Sequence, residues 1–297
     1  MKIFIEASGS LVAPSNIISL KEAKLKVVAS DITSWNAGSK LTDEYVKLKK
    51  VNSPNYWNYL TKILLKKKIN WVIPSLDETL RGWSLHESAL LRKKIKLLLS
   101  PKQTIYTFTD KWLTYNAFCE MGLPTPKSSQ KQIYDLVKPR FGRGSKGIVI
   151  TKKKVSMRGM ISQKFLYGNE ITIDCLFDKN GLPIYIIPRI RKKISNGKSI
   201  SGRIIKSQKI TKYIKILSEK FHFVGPINVQ CFEKNNEIKF TEINPRISGG
   251  LSLSMKGSEN WFDLWFNKIL KNKPFLPKKI KYGMEMDRYY METFNQL

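Results

Sequence analysis

Two stretches constrain this chain more than any others: Asn228-Val229-Gln230 and Thr241-Glu242-Ile243-Asn244-Pro245-Arg246. The apolar run over residues 225–232 reads as a strand, and Glu233-Lys234-Asn235-Asn236 as a turn, so the next segment returns beside it as a hairpin partner. Glu242 and Asn244 are two residues apart and therefore project from one side of that partner. Gln230 lies on the neighbouring strand. A carboxylate and two amides supply hard oxygen donors of the kind that suit Mg²⁺, a cation that keeps several waters and binds through few protein groups plus substrate phosphates. Arg246 comes next, where it could neutralise a phosphoryl or acyl oxygen. An ordinary polar strand edge would explain the hairpin alone, but two further motifs lie upstream.

The first is Val137-Lys138-Pro139-Arg140-Phe141-Gly142-Arg143-Gly144-Ser145-Lys146-Gly147. Its glycines spell G-x-G-x-x-G, but a dinucleotide fingerprint needs a helix after the last glycine. Here Ile148-Val149-Ile150-Thr151 continues as strand, so the glycines cap a hairpin. No Lys-Ser/Thr pair follows as in a Walker A loop, and there is no H-R-D or D-F-G signature downstream. A glycine hairpin carrying Arg143 and Lys146 can instead fold over a polyphosphate, offering backbone N–H groups and cations. The second motif is Gln163-Lys164-Phe165-Leu166-Tyr167-Gly168-Asn169-Glu170-Ile171-Thr172-Ile173-Asp174. Alternation over residues 170–174 marks a strand with one polar side. The extended Lys164-Phe165-Leu166 backbone could pair with a purine edge.

In this order, a lysine before a glycine hairpin, Q-K-F-x-x-G-x-E-x-x-x-D, N-V-Q and E-I-N-P-R, the set resembles the ATP-grasp superfamily, in its carbamoyl phosphate synthase and biotin carboxylase-like branch. The resemblance covers nearly the whole chain. It implies an α/β fold, α+β in its C-terminal part: a Rossmann-like N-terminal domain (1–102), a linker helix and glycine-rich lid subdomain (103–166) and a C-terminal ATP-grasp catalytic subdomain (167–297). It also implies site roles. Lys111 and Lys138 would hold ATP phosphates, under a lid loop that includes Arg143, Gly144 and Ser145. Gln163, Lys164 and Leu166 would frame adenine, and Glu170 would bind the ribose. Gln230, Glu242 and Asn244 would hold Mg²⁺, with Mn²⁺ as an alternative. Arg246 would stabilise the transferred phosphoryl group. The activity implied is an ADP-forming carboxylate–amine ligase with small-molecule carboxylate and amine substrates. The alternatives are bicarbonate activation through carboxyphosphate and a non-catalytic ATP-binding sensor. Gln163 stands where relatives often have Glu, and the segments flanking the glycine hairpin are short, so the lid is trimmed.

Composition narrows the field. The formal net charge of +30 would ordinarily suggest nucleic acid. Yet of 53 basic residues only ten are arginine, the side chain suited to bidentate phosphate reading. The lysine runs at 66–68, 152–154 and 278–279 are short and scattered, and they read as solvated faces, so no specific nucleic-acid partner is expected. A positive field would still draw in ATP or an acidic acceptor. Cys119, Cys175 and Cys231 form no C-x-x-C pair, and two histidines make no metal cluster. Buried free thiols in a reducing cytoplasm are expected. No apolar run approaches ~20 residues, so no membrane span is expected, and residues 1–6 read as strand rather than signal peptide. Family members often dimerise, which makes a homodimer the assembly to test.

Residues 1–100 alternate strand and helix. Strands are expected at 2–7, 26–31, 70–74 and 96–100, and helices at 16–24 and 56–68. Asp77 and Glu78 follow a strand end, where they could face a cleft, or Ser75 or Asp77 could cap the next helix. His86 reads as packed or on a helix surface. Trp57, Trp71, Trp83 and Trp112 read as core. A helix over 110–121 should end at Gly122, ahead of Pro124 and Pro126. Asn196-Gly197 suits a tight hairpin turn. Around it, Lys192, Lys193 and Lys198 read as solvated, while Arg189 and Arg203 are candidates to engage a carboxylate acceptor or the γ-phosphate. Small residues at 248–250 would let a ligand approach backbone N–H groups. An amphipathic helix is expected over 261–270, followed by a loosely packed basic tail.

Overall fold

The computed structural model describes residues 1–195 and 198–293, so the Asn196-Gly197 turn and the Lys198 side chain lie outside the described residues. The first sheet has β1 (Lys2–Ile5), β2 (Lys26–Asp31), β3 (Glu44–Lys47), β4 (Trp71–Ile73) and β5 (Lys96–Leu97) in the order β3-β2-β1-β4-β5, all parallel. Both faces are buried, which is why its strands are near-continuous apolar runs. Phe4, Val28 and Val72 face α3 (Tyr56–Lys66) and α4 (Asp77–Arg92). Ile3, Ile5, Val27 and Ala29 face α1 (Ala13–Glu22). A short α2 (Ala37–Leu41) precedes β3. Strand order reverses between β1 and β4, the position where open parallel sheets leave a crevice beyond their carboxyl ends. Glu6 and Ser75 follow those two strands into it.

After α5 (Lys102–Phe108) and α6 (Lys111–Glu120) comes a four-stranded sheet of β6 (Ser128–Ser129), β7 (Leu136–Pro139), β8 (Val149–Ile150) and β9 (Met160–Gln163), in the order β6-β9-β7-β8. The glycine loop joins β7 to β8, which pair antiparallel. It needs left-handed backbone at Gly142, Gly144, Ser145 and Gly147, and a Cβ on Gly147 would lie 2.9 Å from Pro139.

The third sheet contains β10 (Asn169–Phe177), β11 (Pro183–Ser195), β12 (Lys198–Ile204), β13 (Gly225–Lys234), β14 (Glu237–Asn244) and β15 (Glu285–Asp287), in the order β14-β13-β10-β11-β12-β15. One face carries Ile171, Ile173, Val229, Cys231, Phe240 and Ile243 and packs on α7 (Gln208–Lys220) and on Phe108 and Phe118 of α5 and α6. At one end the other face is apolar, with Leu176, Tyr185 and Ile187 under α8 (Leu251–Lys256) and α9 (Trp261–Asp263). Towards the lid it turns polar.

Several elements differ from the sequence-based expectation. The first helix starts at Ala13, with Pro14 in its first turn, rather than at residue 16. Strand β5 ends at Leu97. The last helix becomes a π-helix over Leu264–Ile269. Leu76, not Ser75 or Asp77, occupies the N-cap of α4, and no side chain caps it. Trp83 is buried, but Trp57, Trp71 and Trp112 are only half-buried, and Trp57 stacks on His86. Cys119 is exposed, unlike Cys175 and Cys231. The basic tail is not loose: β15 pairs with β12, and Gly283 and Lys281 donate to the backbone of Ile204 and Gly257. No helix among the described residues is long and apolar enough to cross a membrane.

Candidate active site

A β-bulge decides which side chains reach the site. Along β14, Ile238 and Phe240 point into the core, so strict alternation would bury Glu242 as well. The register shifts between Gln230 and Cys231, leaving Thr241 as the extra residue. Ile243 then takes the core face, and Glu242 and Asn244 turn to the polar face opposite Gln230 and Asn228. Asn235 and Asn236 both adopt positive φ at the hairpin tip, as a two-residue turn of the primed type requires. The change in apolar spacing, two residues from Ile238 to Phe240 and then three to Ile243, is the readable trace of the bulge.

Two cavities adjoin along this polar face. The first, about 570 Å³, lies between the lid and the sheet, with walls that include Lys111, Lys138, Gln163, Lys164, Leu166 and Glu170. The second, about 480 Å³, lies between the sheet and the crevice of the parallel sheet, with walls that include Glu6, Asn16, Arg189, Asn244 and Arg246. Gln230, Glu242, Arg191 and loop residues Arg143, Gly144 and Lys146 line both. Ser145 lines only the first.

In the first cavity Lys138 is buried, and its ammonium donates to Gln163 Oε1 at 2.8 Å, while Gln163 Nε2 donates to Ser128 at 2.9 Å. Burial pushes the Lys138 amine down to about 8, against the pull of Glu242 and with a push from Lys111. Lys111 donates to the Gly142 carbonyl at 2.9 Å, and Asp110, the side-chain cap of α6, pairs with Arg140. Lys164 donates its backbone N–H to Lys127, which holds the 164–166 segment extended. Glu170 pairs with Arg191.

At the shared wall, Asn244 Nδ2 donates to Glu242 Oε1 at 3.1 Å, and Arg246 donates to Asn244 Oδ1 at 3.2 Å. The Gln230 amide has no partner among the described residues. Gln230, Glu242 and Asn244 thus put one carboxylate and two amide oxygens on the same polar face, a donor set whose chemistry suits a hard divalent cation completed by water and phosphate oxygens. No group of three His, Cys, Asp or Glu suited to a metal occurs among the described residues, so a thiolate- or imidazole-type centre has no ligands here. Burial raises the Cys175 thiol and pushes the Cys231 thiol up to about 12, which makes both poor nucleophiles.

Sequence reasoning leaves Asp77 and Glu78 between a cap and a cleft; what it misses is that they hold the arginines. Asp77 Oδ2 accepts from Arg246 at 2.6 Å, and Glu78 Oε1 accepts from Arg143 at 3.0 Å. The first turn of α4 thus ties down both a floor residue and the lid tip. Arg189 is buried and donates to Asp174 Oδ2 at 2.8 Å; Asp174 also accepts from Ser254 and Asn228. Arg203 does not join this group. It pairs in register with Ile190, on the face opposite Arg189, and its exposed guanidinium lies 3.8 Å from Glu285.

Comparison with known proteins agrees with this architecture. Residues 156–290 match the family described as ATP-grasp in the biosynthetic pathway with Ter operon, and residues 13–98 match the PylC-like N-terminal domain. The carbamoyl phosphate synthase large chain of Agathobacter rectalis is 24% identical over 54% of this chain and 18% of its own length. The chain therefore spans less than a fifth of that curated relative. Among solved structures, the L-amino acid ligase from Bacillus licheniformis superposes with a TM-score of 0.71 at 17% identity, over 91% of this chain and 74% of that one. N5-carboxyaminoimidazole synthetase from Staphylococcus aureus, complexed with ADP, gives 0.70 at 17% identity over 94% and 80%. The biotin carboxylase domain of Hydrogenobacter thermophilus 2-oxoglutarate carboxylase, with MgADP and bicarbonate, gives 0.69 at 15% over 96% and 73%. The match to the ATP-grasp family named for the Ter operon spans a little under half of the chain, behind the segment that matches the PylC-like N-terminal domain, and the solved structures share the fold.

Proposed function

We propose that the protein is an ADP-forming carboxylate–amine ligase using ATP with Mg²⁺, for which Mn²⁺ would substitute. The observation that carries this reading is the meeting of two cavities along a wall formed by Gln230 and Glu242, beneath one cationic loop. The lid-side cavity takes the nucleotide: Gln163, Lys164 and Leu166 frame adenine, Glu170 holds the ribose, and Lys111, Lys138 and the Arg143-Gly144-Ser145 segment hold phosphates. The crevice-side cavity takes the acceptor. Residues 1–102, 103–166 and 167–297 then serve as acceptor wall, lid and catalytic floor.

The acceptor carboxylate attacks the γ-phosphorus. The bond from that phosphorus to the β–γ bridging oxygen breaks, ADP leaves, and an acylphosphate forms. The amine then attacks the acyl carbon, phosphate leaves with the electron pair of the carbon–oxygen bond, and the nitrogen gives up one proton to the departing phosphate, leaving an amide. Gln230, Glu242 and Asn244 would hold a divalent cation, which would supply charge neutralisation at the phosphate oxygens. Lys138 and Arg246 are aimed at the negative charge that moves during transfer, and their fixed positions spare reorganisation at that moment. Arg189 holds the acceptor side. No side-chain nucleophile is required, and positioning does the work. The Arg143–Glu78 contact draws the loop over both cavities and keeps water from the acylphosphate. The reading places the protein in the cytoplasm, with a homodimer as the assembly to measure.

Phosphate release from Mg-ATP across a panel of amino acids, dipeptides, uronic acids and bicarbonate, each with and without amine donors, tests this. Release that requires a specific carboxylate and a specific amine is expected. Release with bicarbonate alone would replace the reading with carboxyphosphate formation, and nucleotide binding without release under any pairing would replace it with a sensor.

A further inference from the structure

The start of α4 meets the glycine loop and the shared wall at three points. Asp77 holds Arg246 and Glu78 holds Arg143. Arg81 follows them by four and three residues, so it is a neighbour of both on the helix surface. It holds the third point, Phe141, the residue just before the loop. The Arg81 guanidinium lies over the Phe141 ring, 4.6 Å from its centroid, and over the Tyr106 ring at 4.7 Å. Its edge is taken as well: Nε donates to Thr109 Oγ1 at 2.8 Å, and Nη2 donates to the Tyr106 carbonyl at 2.9 Å. A guanidinium that meets two rings and two neutral oxygens is held in one orientation, whereas a lysine ammonium there would be a point charge on a flexible stem.

The base of this clamp is rigid. Glu6 is buried and accepts from the Ser75 backbone, Thr79 and Trp83, which fastens the junction of β4 with α4 and the first two turns of the helix. The segment beyond the clamp is not fastened in this way. Residues 142–150 are exposed, Gly142 has a φ of 104°, and a Cβ placed on it would meet nothing within 4 Å. The backbone can therefore pivot at Gly142 while Phe141 stays on α4. Lys111 with the Gly142 carbonyl and Arg143 with Glu78 are the exposed contacts that such a pivot would make and break. Arg81 and Phe141 also line a third cavity, about 250 Å³, that reaches Glu242 and Asn244. The clamp thus stands against the shared wall and not on a remote surface.

We infer that Arg81 is a positioning residue for the transfer. Its stack with Phe141 latches the root of the glycine loop to α4, so the loop closes over nucleotide phosphates by pivoting at Gly142 rather than by movement of the whole lid sheet. This rests on the ligase reading and adds to it how the loop is placed. Arg81 touches no substrate; it acts through Phe141.

The test is a double-mutant cycle on the full chain, Arg81→Lys with Phe141→Leu, and Phe141→Tyr as the conservative variant. Backbone hydrogen exchange over residues 141–147 is measured without ligand, and affinity for a non-hydrolysable ATP analogue with Mg²⁺ is measured by calorimetry. Each of the two single variants is expected to speed exchange in that segment and to weaken the analogue about two- to tenfold, the range that a part-exposed cation–π contact spans. The double variant should be no worse than the weaker single, because either change removes the same contact. Phe141→Tyr should match the parent. Phe141 is 47% exposed, so its variants leave the core intact and carry the test even if the melting temperature shows Arg81→Lys to be unfolded. Additive losses, unchanged exchange over 141–147, unchanged analogue affinity, or a Phe141→Tyr variant as weak as Phe141→Leu would overturn the latch and leave the ligase reading standing. A parent that binds no analogue would overturn the ligase reading, and the exchange comparison would then decide the latch by itself.

Discussion

The two cavities are built in opposite ways. The lid-side cavity is assembled from contiguous motifs: the 138–147 hairpin, the 163–170 segment and the β13–β14 pair supply most of its polar wall. The crevice-side cavity draws on short pieces scattered from Ile5 to Gly250, among them Glu6, Asn16, Arg189 and the 244–250 stretch, with Arg288 behind it. A site for an invariant ligand can be encoded locally, because the same backbone contacts serve every time. A site for a particular acceptor is put together by the packing of one sheet end against another, and its specificity is spread over the chain.

That contrast can be broken at several points. The largest effect belongs to the shared wall: Glu242→Ala or Asn244→Ala should lower turnover by about 10²–10³-fold or more, the scale of losing one fixed electrostatic contact to the reacting charge. Circular dichroism and the melting temperature should stay near those of the parent, since neither side chain lies on the core face. Near-normal turnover in either variant would mean that the two cavities do not share a reaction centre.

The next effect sharpens the lid-side assignment. Burial lowers the Lys138 amine to about 8. Anionic nucleotide favours its protonated form, so nucleotide affinity should be full below pH 8 and fall as pH rises through it, by at most about tenfold per pH unit. Proton uptake on binding should appear by calorimetry above pH 8, and Lys138→Met should flatten the profile. A parent profile that is flat between pH 7 and 10 would remove Lys138 from the phosphate contacts.

The smallest effect concerns the clasp between the cavities. Arg143 and Glu78 are each about half exposed, and such pairs contribute roughly 0–1 kcal/mol. Glu78→Gln should therefore change turnover or KM only a few-fold, and the change should vanish at high salt. A loss comparable to that of Glu242→Ala would show that Glu78 contacts substrate rather than the loop.

Much of the fold is legible in the sequence because periodicity carries it. The parallel strands are apolar runs, the polar face of β10 alternates, and Gly122 ends α6 where proline blocks continuation. The face shared by Glu242 and Asn244 follows from spacing alone. What alternation cannot supply is the bulge at Thr241, which sets that face against Gln230 rather than in the core. Asp77 reads locally as a cap, yet its partner is Arg246, 169 residues away, and no local pattern encodes a pair of that separation. The scarcity of arginine singles out Arg203, but strand register puts it on the far face. Arg288 carries no local signal, because a basic tail gives no sign of where it docks; the β12–β15 pairing places it.

The most direct test of a reaction at the shared wall is isotope transfer. A carboxylate substrate found by the phosphate-release panel is labelled with ¹⁸O and turned over with Mg-ATP and the amine, and the released phosphate is analysed by mass spectrometry. Attack of the carboxylate on the γ-phosphorus predicts one ¹⁸O atom in each phosphate. Unlabelled phosphate would show that the carboxylate never bonded to phosphorus, and would contradict the account.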